Sequence, residues 1–317
     1  MLSRRLGILF ALVGLLASCT PTVDGTADAV HVPPLTSEEA LGEPTTVDFC
    51  SLLDERKLRE ADVSVELATS GFLRCYAEVE LGTVGLSVTI GDLYEATPFL
   101  QSDESRELAR SVHRRHFEEE WACWRELVFA DGVALDVTVY EAYGDIEGRP
   151  GDAEMCIVAD LVTDGVQQAA YFGTGETMTF AEGSLAELEP CALLTADEAA
   201  DVLDVESVLY EEALGGGGCS FWWYGEPYVG TDVEFAVTDL GTDVSEYYEE
   251  NIGGRPSATF LSEGRCVLET PHMPVPAEVS TEWEVVNVYV YDEEGDPCAA
   301  ATELAELVWP RLPEYED

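Results

Sequence analysis

The chain has 317 residues with 64 acidic against 15 basic side chains, a formal charge of −49 at pH 7 and a sequence isoelectric point near 4.1. So acidic a surface repels nucleic acid and anionic headgroups, which removes both as expected partners and argues for a solvated, soluble shell. The length suits two domains of ordinary size.

The first segment carries an export signal. Arg4 and Arg5 precede an apolar run over residues 6–17, too short to span a bilayer, and the run closes on Leu16-Ala17-Ser18-Cys19. Positive start, apolar stretch, small residues and cysteine, in that order, read as a lipobox. Residues 1–18 are therefore expected to be a lipoprotein signal peptide. Cys19 would be the lipidation site, carrying a thioether-linked diacylglycerol and a further palmitate-like acyl chain. Two or more chains give stable anchoring, and no later apolar stretch reaches spanning length. The expected location is extracytoplasmic, on the outer face of the cell membrane. Gly7 stands where twin-arginine export usually has a bulky residue, which favours the general secretory route. Residues 19–46, rich in Pro, Thr, Asp and Ala, read as a flexible spacer.

Eight further cysteines act as a ruler. The gaps along Cys50, Cys75, Cys123 and Cys156 are 25, 48 and 33 residues; along Cys191, Cys219, Cys266 and Cys298 they are 28, 47 and 32. Three near-equal gaps in the same order indicate a tandem duplication. Cys50-Ser51-Leu52-Leu53 matches Cys191-Ala192-Leu193-Leu194, and each is expected to open a helix. An even count in an exported chain reads as disulfides, two per repeat. Four cysteines allow three pairings, and sequence alone does not choose among them. The expectation adopted is first with second and third with fourth, each bridge contributing roughly 3–4 kcal/mol by chain entropy. No CxxC pair suggests zinc.

The first repeat is placed at 47–172. A helix follows Asp54 with Leu58 and Ala61 inward, then strands near 72–80 and 84–92, a long helix over 104–121, strands near 123–129 and 133–140, and a closing helix from Cys156. Residues 173–182 form a linker. The second repeat, 183–317, opens with the capping box Thr195-Ala196-Asp197-Glu198. Strands are expected near 219–224 and 233–238, a short helix over 245–252, strands near 258–268 and 283–291, and a helix over 299–309 stopped by Pro310. The fold class is α+β: two tandem repeats, each an antiparallel sheet flanked by helices and stapled by two disulfides.

The lipobox, the Cys-x-Leu-Leu helix openings, Cys219-Ser220-Phe221-Trp222 and the ending Cys298…Leu312-Pro313 resemble an actinobacterial lipoprotein family catalogued as domain of unknown function 3558. The resemblance covers both repeats and is better in the second: Cys75 is followed by Tyr76-Ala77-Glu78 without the tryptophan, and the first repeat has no Leu-Pro ending. It implies an envelope location and a cysteine framework, and brings no catalytic residues. A more distant resemblance is to the Mog1/PsbP-like fold of other envelope lipoproteins.

Catalytic signatures are not legible. No Gly-x-Ser-x-Gly elbow, HExxH, Walker A or GxGxxG occurs, and the glycine run at 215–218 lacks a following Lys-Ser/Thr. No catalytic residue, metal or cofactor is assigned. Two candidate binding features stand out. Arg106, Arg110 and Arg114, at i, i+4 and i+8 of the expected helix, would form one cationic stripe, read either as a face paired with the chain's own acids or as an anion contact. His113 and His116 on that helix lack a fourth metal ligand. Trp222, Trp223 and Tyr224 could stack on a sugar or peptide, with one face of this strand in the core. The expected function is a non-enzymatic, surface-tethered binding module for an envelope protein or small ligand. The alternative is an extracytoplasmic enzyme acting on cell-wall or exported substrates.

Overall fold

The computed structural model describes residues 32–96, 104–119, 121–141, 152–226, 228–241, 247–262, 264–275, 281–292 and 295–314. The lipobox and Cys19 lie outside the described residues. Pro34–Asp317 forms one compact unit.

The first half begins earlier than the sequence suggests. Residues 35–46, read as spacer, are folded. Leu35 is buried, helix α1 (Ser37–Leu41) is capped by Thr36, and Ala40 and Leu41 enter the core. Strand β1 (Val47–Asp48) and a single tight turn (Phe49–Leu52) follow, so Cys50 sits on that turn instead of opening a long helix. Helix α2 (Glu55–Glu60) is capped by Asp54, whose side chain accepts from Lys57 N.

Seven strands then make one antiparallel sheet: β2 (Val63–Ser70), β3 (Arg74–Leu81), β4 (Val84–Glu95), β5 (Glu104–Glu107), β6 (His113–Glu119), β7 (Ala122–Val128) and β8 (Val133–Glu141), in spatial order β2-β3-β4-β8-β7-β6-β5. Helix α3 (Asp152–Phe172) lies across one face, packing Val158, Ala159, Val162 and Val166 on Leu127, Leu135 and Val137.

The expected helix over 104–121 is instead two strands joined by a turn. Arg110 and Ser111 have φ of 57° and 58°, which no helix tolerates, and Leu108 N bonds to Val112 O across the reversal. Beyond the turn the side chains alternate between the two faces of the sheet, the period of a strand.

After strand β9 (Glu176–Thr177), which pairs back with β1, the second half repeats this strand order. Helix α4 (Pro190–Leu193) carries Cys191, and helix α5 (Ala196–Val202) has the expected capping box between Thr195 and Glu198. The strands are β10 (Leu209–Glu212), β11 (Gly218–Trp223), β12 (Val229–Asp239), β13 (Glu250–Ile252), β14 (Arg255–Ser262), β15 (Arg265–Pro274) and β16 (Glu282–Asp292), ordered β10-β11-β12-β16-β15-β14-β13. Helix α6 (Pro297–Val308) packs on β15 and β16 and stops at Pro310. The short helix expected over 245–252 is partly outside the described residues and ends as β13. The single strand expected over 258–268 is two, reversed at Gly264, where φ of 75° suits glycine. Edge strand β10 is exposed throughout, with Leu209 and Tyr210 open to solvent.

Disulfides join Cys50–Cys75, Cys123–Cys156, Cys191–Cys219 and Cys266–Cys298, each tying a helix or turn to a strand beneath it. The two halves are interlocked. Phe72, from the β2–β3 connection, is buried in the second core against Phe180 and Phe235. The residues at 173–182 are therefore no loose linker: Glu176 and Thr177 pair with β1, and Phe180 packs on Phe72. Among the described residues no helix is long and apolar enough to cross a membrane.

Candidate functional site

Alternation dictates where the polar side chains go. In β8, Leu135, Val137 and Val139 face α3 and are fully buried, so Asp136, Thr138 and Tyr140 point to the opposite face. In β16, Val286, Val288 and Val290 face α6, which turns Asn287, Tyr289 and Tyr291 outward. These two helix-free faces oppose one another within the compact unit.

Between them lies a cavity of about 730 Å³, lined from the first half by Arg74, Asp92, Trp124 and Asp136 and from the second by Asp232, Glu234, Arg265 and Tyr289. A smaller cavity of about 230 Å³ shares Trp124 and Asp136 and adds Tyr94, Phe117 and Glu126.

Charge in this cleft is arranged across the two halves. Arg74 of β3 contacts Asp92 at 3.2 Å and reaches over to Glu234 of β12 at 3.1 Å. Burial works against the charge on Arg74, yet Glu234 and Asp92 hold its guanidinium more firmly protonated than usual. Burial pushes the carboxyls of Asp92 and Glu234 up, and Arg74 only partly opposes this. Asp136 has less help. Burial pushes its carboxyl up to about 7, the Thr138 hydroxyl opposes the rise, and the like charges of Asp92 and Glu126 add to it. Burial also raises Asp232, against hydrogen bonds from Ser220 and Tyr291. Glu126 is taken by the Tyr94 hydroxyl and by Arg115 at 3.1 Å, and Arg115 lies 5.3 Å from the Phe117 ring. Arg265 stands over the rings of Tyr289 and Tyr291 at 5.5 and 6.0 Å.

The residues singled out from sequence fall in three places. Arg106 is exposed on β5. Arg110 bonds Glu39 of α1 at 2.6 Å. Arg114, on the helix face of β6, bonds both Asp160 and Asp164 of α3 at 2.6 Å. The cationic stripe does not exist as a helix face: Arg106 and Arg114 are cross-strand partners in a hairpin and Arg110 lies in its turn, and two of the three fasten helices to the sheet. Arg125, fully buried beside Arg114, also bonds Asp160, at 2.8 Å. His113 and His116 point to opposite faces of β6, so they cannot share a metal. Among the described residues no three His, Cys, Asp or Glu side chains are grouped to hold one.

The aromatic strand divides as its alternation requires. Phe221 is core, while Trp222 stacks on Tyr228 at 5.6 Å and meets the cleft residue Tyr291 at 5.4 Å. Trp223 is half-buried, and Tyr224, just past the strand, is exposed. The cleft acids, Arg74 and the three tyrosines were not singled out from sequence. Their signal was present as polar and aromatic residues at alternate positions of β8 and β16, a pattern that on its own reads as a solvent face.

Comparison with known proteins finds a likeness for the second half. Residues 172–311 match the family model described as "Protein of unknown function (DUF3558)". That stretch, under half of the chain, is similar to the family. The matched DUF3558 stretch contains the whole second sheet, two of the four disulfides and the second-half wall of the cleft. No curated protein matches the chain. A crystal structure of DynU16, a protein of the dynemicin biosynthetic locus, aligns with 11% identity and a TM-score of 0.15, over 83% of this chain and 92% of that one. A likeness so slight supports no conclusion about fold or activity.

Proposed function

We propose that this chain is a cell-envelope lipoprotein, held on the outer face of the membrane through Cys19, and that it binds a ligand in the cleft between its two sheets. On this reading the halves are tandem copies, the first diverged from the DUF3558 pattern, and the protein binds without turnover. The observation that carries the proposal is the cavity of about 730 Å³ whose walls come from both halves. A sheet face normally left to water here forms the wall of a partly open cleft and is lined with charged and aromatic groups. That combination suits recognition of a polar ligand. The cross-half pair Arg74–Glu234 supports a fixed cleft instead of two separate binding surfaces.

Photo-crosslinking on intact cells tests it. A photoreactive residue at Tyr289, inside the cleft, should capture a ligand or partner segment, while the same group at exposed Ile157 on α3 should not. Equal capture from both positions would refute the cleft reading.

One observation favours a second reading, an extracytoplasmic enzyme. A carboxyl that keeps its proton near neutral pH beside another carboxylate, as Asp136 does beside Asp92, is what a general acid requires. Turnover of cell-wall fragments by the parent chain, lost in Asp136→Asn, would establish it.

A further inference from the structure

The charge of the cleft points to the kind of ligand it takes. Four carboxylates (Asp92, Asp136, Asp232, Glu234) line the main cavity against two guanidiniums (Arg74, Arg265). Arg74 is shared by Asp92 and Glu234. Glu126, next along the wall, already has Arg115 and Tyr94. Asp136 is bonded by the Thr138 hydroxyl and shares the weaker influence of Arg74. Asp232 is bonded by Ser220 and Tyr291, with Arg74 and Arg265 acting at longer range, and its Oδ1 is buried without a hydrogen-bond partner. The cleft thus carries two more acidic than basic groups, where burial makes a carboxylate without a counterion costly. The walls between them are aromatic: Trp124 and Tyr289 in the main cavity, Tyr94 and Phe117 in the smaller one, and ring faces attract cations.

A metal ion would need several oxygen ligands converging on one point, and the described residues offer no such group. Carboxylates set apart along an aromatic-walled cleft match an extended organic molecule instead. We propose that the cleft binds an organic dication, a molecule bearing two ammonium or guanidinium groups, with Asp136 and Asp232 as its counterions. This rests on the reading of the cleft as a ligand site.

Titration calorimetry tests it on the full chain in detergent, with cadaverine and its uncharged and anionic counterparts, pentanediol and glutarate. Cadaverine should bind and the other two should not, and Asp136→Asn and Asp232→Asn should each weaken cadaverine by roughly tenfold. A measurement on the unaltered chain covers the case of a variant that fails to fold. Asp136 is faced by Arg74 of β3, Asp92 and Tyr94 of β4 and Glu126 of β7, and a cation entering there must displace its proton. Heats of cadaverine binding near pH 7 should therefore differ between phosphate and Tris buffers. Equal heats in the two buffers, or undiminished cadaverine affinity in both folded variants, would overturn the proposal. Binding of pentanediol or glutarate in place of cadaverine would also overturn it, while leaving the cleft as the ligand site. Silence from all three probes rejects the dication, and the crosslink from Tyr289 then decides separately whether the cleft is a site.

Discussion

Asp160 is the most informative single position for the fold of the first half. Its Oδ1 accepts from Arg114 Nη2 at 2.6 Å and from Arg125 Nε at 2.8 Å, fixing α3 to β6 and β7. Arg125 is only 2% exposed, so in Asp160→Asn its guanidinium stays buried while losing the carboxylate that neutralises it. Breaking a fully buried pair costs about 3–5 kcal/mol. The Asp160 side chain itself is 49% exposed, and solvent screening must reduce that figure. Arg125 also keeps its bond to the Trp124 carbonyl. We expect a net loss of about 2 kcal/mol, which for a unit of this size lowers the melting temperature by about 3–4 °C. The pH dependence fixes the cause. Burial pushes the Asp160 carboxyl up, but the hydrogen bond and charge of Arg125, then the charge of Arg114, together carry it below the usual carboxylate range. A depressed carboxyl contributes stability that is complete above its unfolded value and disappears as pH falls through its folded one. The gap between parent and variant should therefore be full at pH 7 and close in strong acid. Thermal unfolding followed by near-ultraviolet circular dichroism measures both. An unchanged melting temperature at pH 7, or a gap that persists in strong acid, would refute the assignment.

Phe72→Ala should remove about 3–4 kcal/mol from the second core although the residue belongs to the first half. Calorimetry should show one unfolding transition in the parent and a split one in the variant; two transitions in the parent would contradict the interlocked core. Cys19→Ala should release the protein from the membrane fraction and remove the mass of the lipid, and unaltered partitioning and mass would exclude the anchor. Because the raised carboxyl of Asp136 binds a proton in the folded chain up to about pH 7, it subtracts stability as pH rises from its unfolded value through that point. Asp136→Asn should therefore melt above the parent at pH 8 and close to it at pH 4, and cadaverine should raise the parent's melting temperature more at pH 8 than at pH 6. A cadaverine effect independent of pH would detach Asp136 from the ligand.

The framework of this protein was legible because cysteine spacing is a one-dimensional record of three-dimensional contacts. Cys50–Cys75 and Cys191–Cys219, like Cys123–Cys156 and Cys266–Cys298, occupy matching places under the same strand order. The capping box at Thr195 and the alternation in β4 were equally plain, since both are local. The hairpin at residues 104–119 was not. Arg106, Arg110 and Arg114 have helical spacing, and what overrides it is the left-handed turn at Arg110 and Ser111, two residues that carry no glycine or proline signal. The cleft was illegible for another reason. Asp136, Tyr140, Tyr289 and Tyr291 sit at positions that a lone antiparallel sheet gives to water. Only the apposition of two sheets encloses them, and apposition depends on Phe72 entering the other core and on Arg74 meeting Glu234 across 160 positions of sequence.

The open edge at β10 gives the acidity of the chain a colloidal role. Strand backbone left unpaired beside exposed Leu209 and Tyr210 is a template on which a second copy could add its own strand. The strand is short and ends in Glu211 and Glu212, and each copy brings a formal charge of −49, so at neutral pH approach is repulsive before any hydrogen bond can form. As acidity brings the surface toward its isoelectric point near 4.1, that barrier vanishes while the disulfides keep the edge intact. The material that collects there should be native-like chains joined along β10, returning to monomers when base restores the charge.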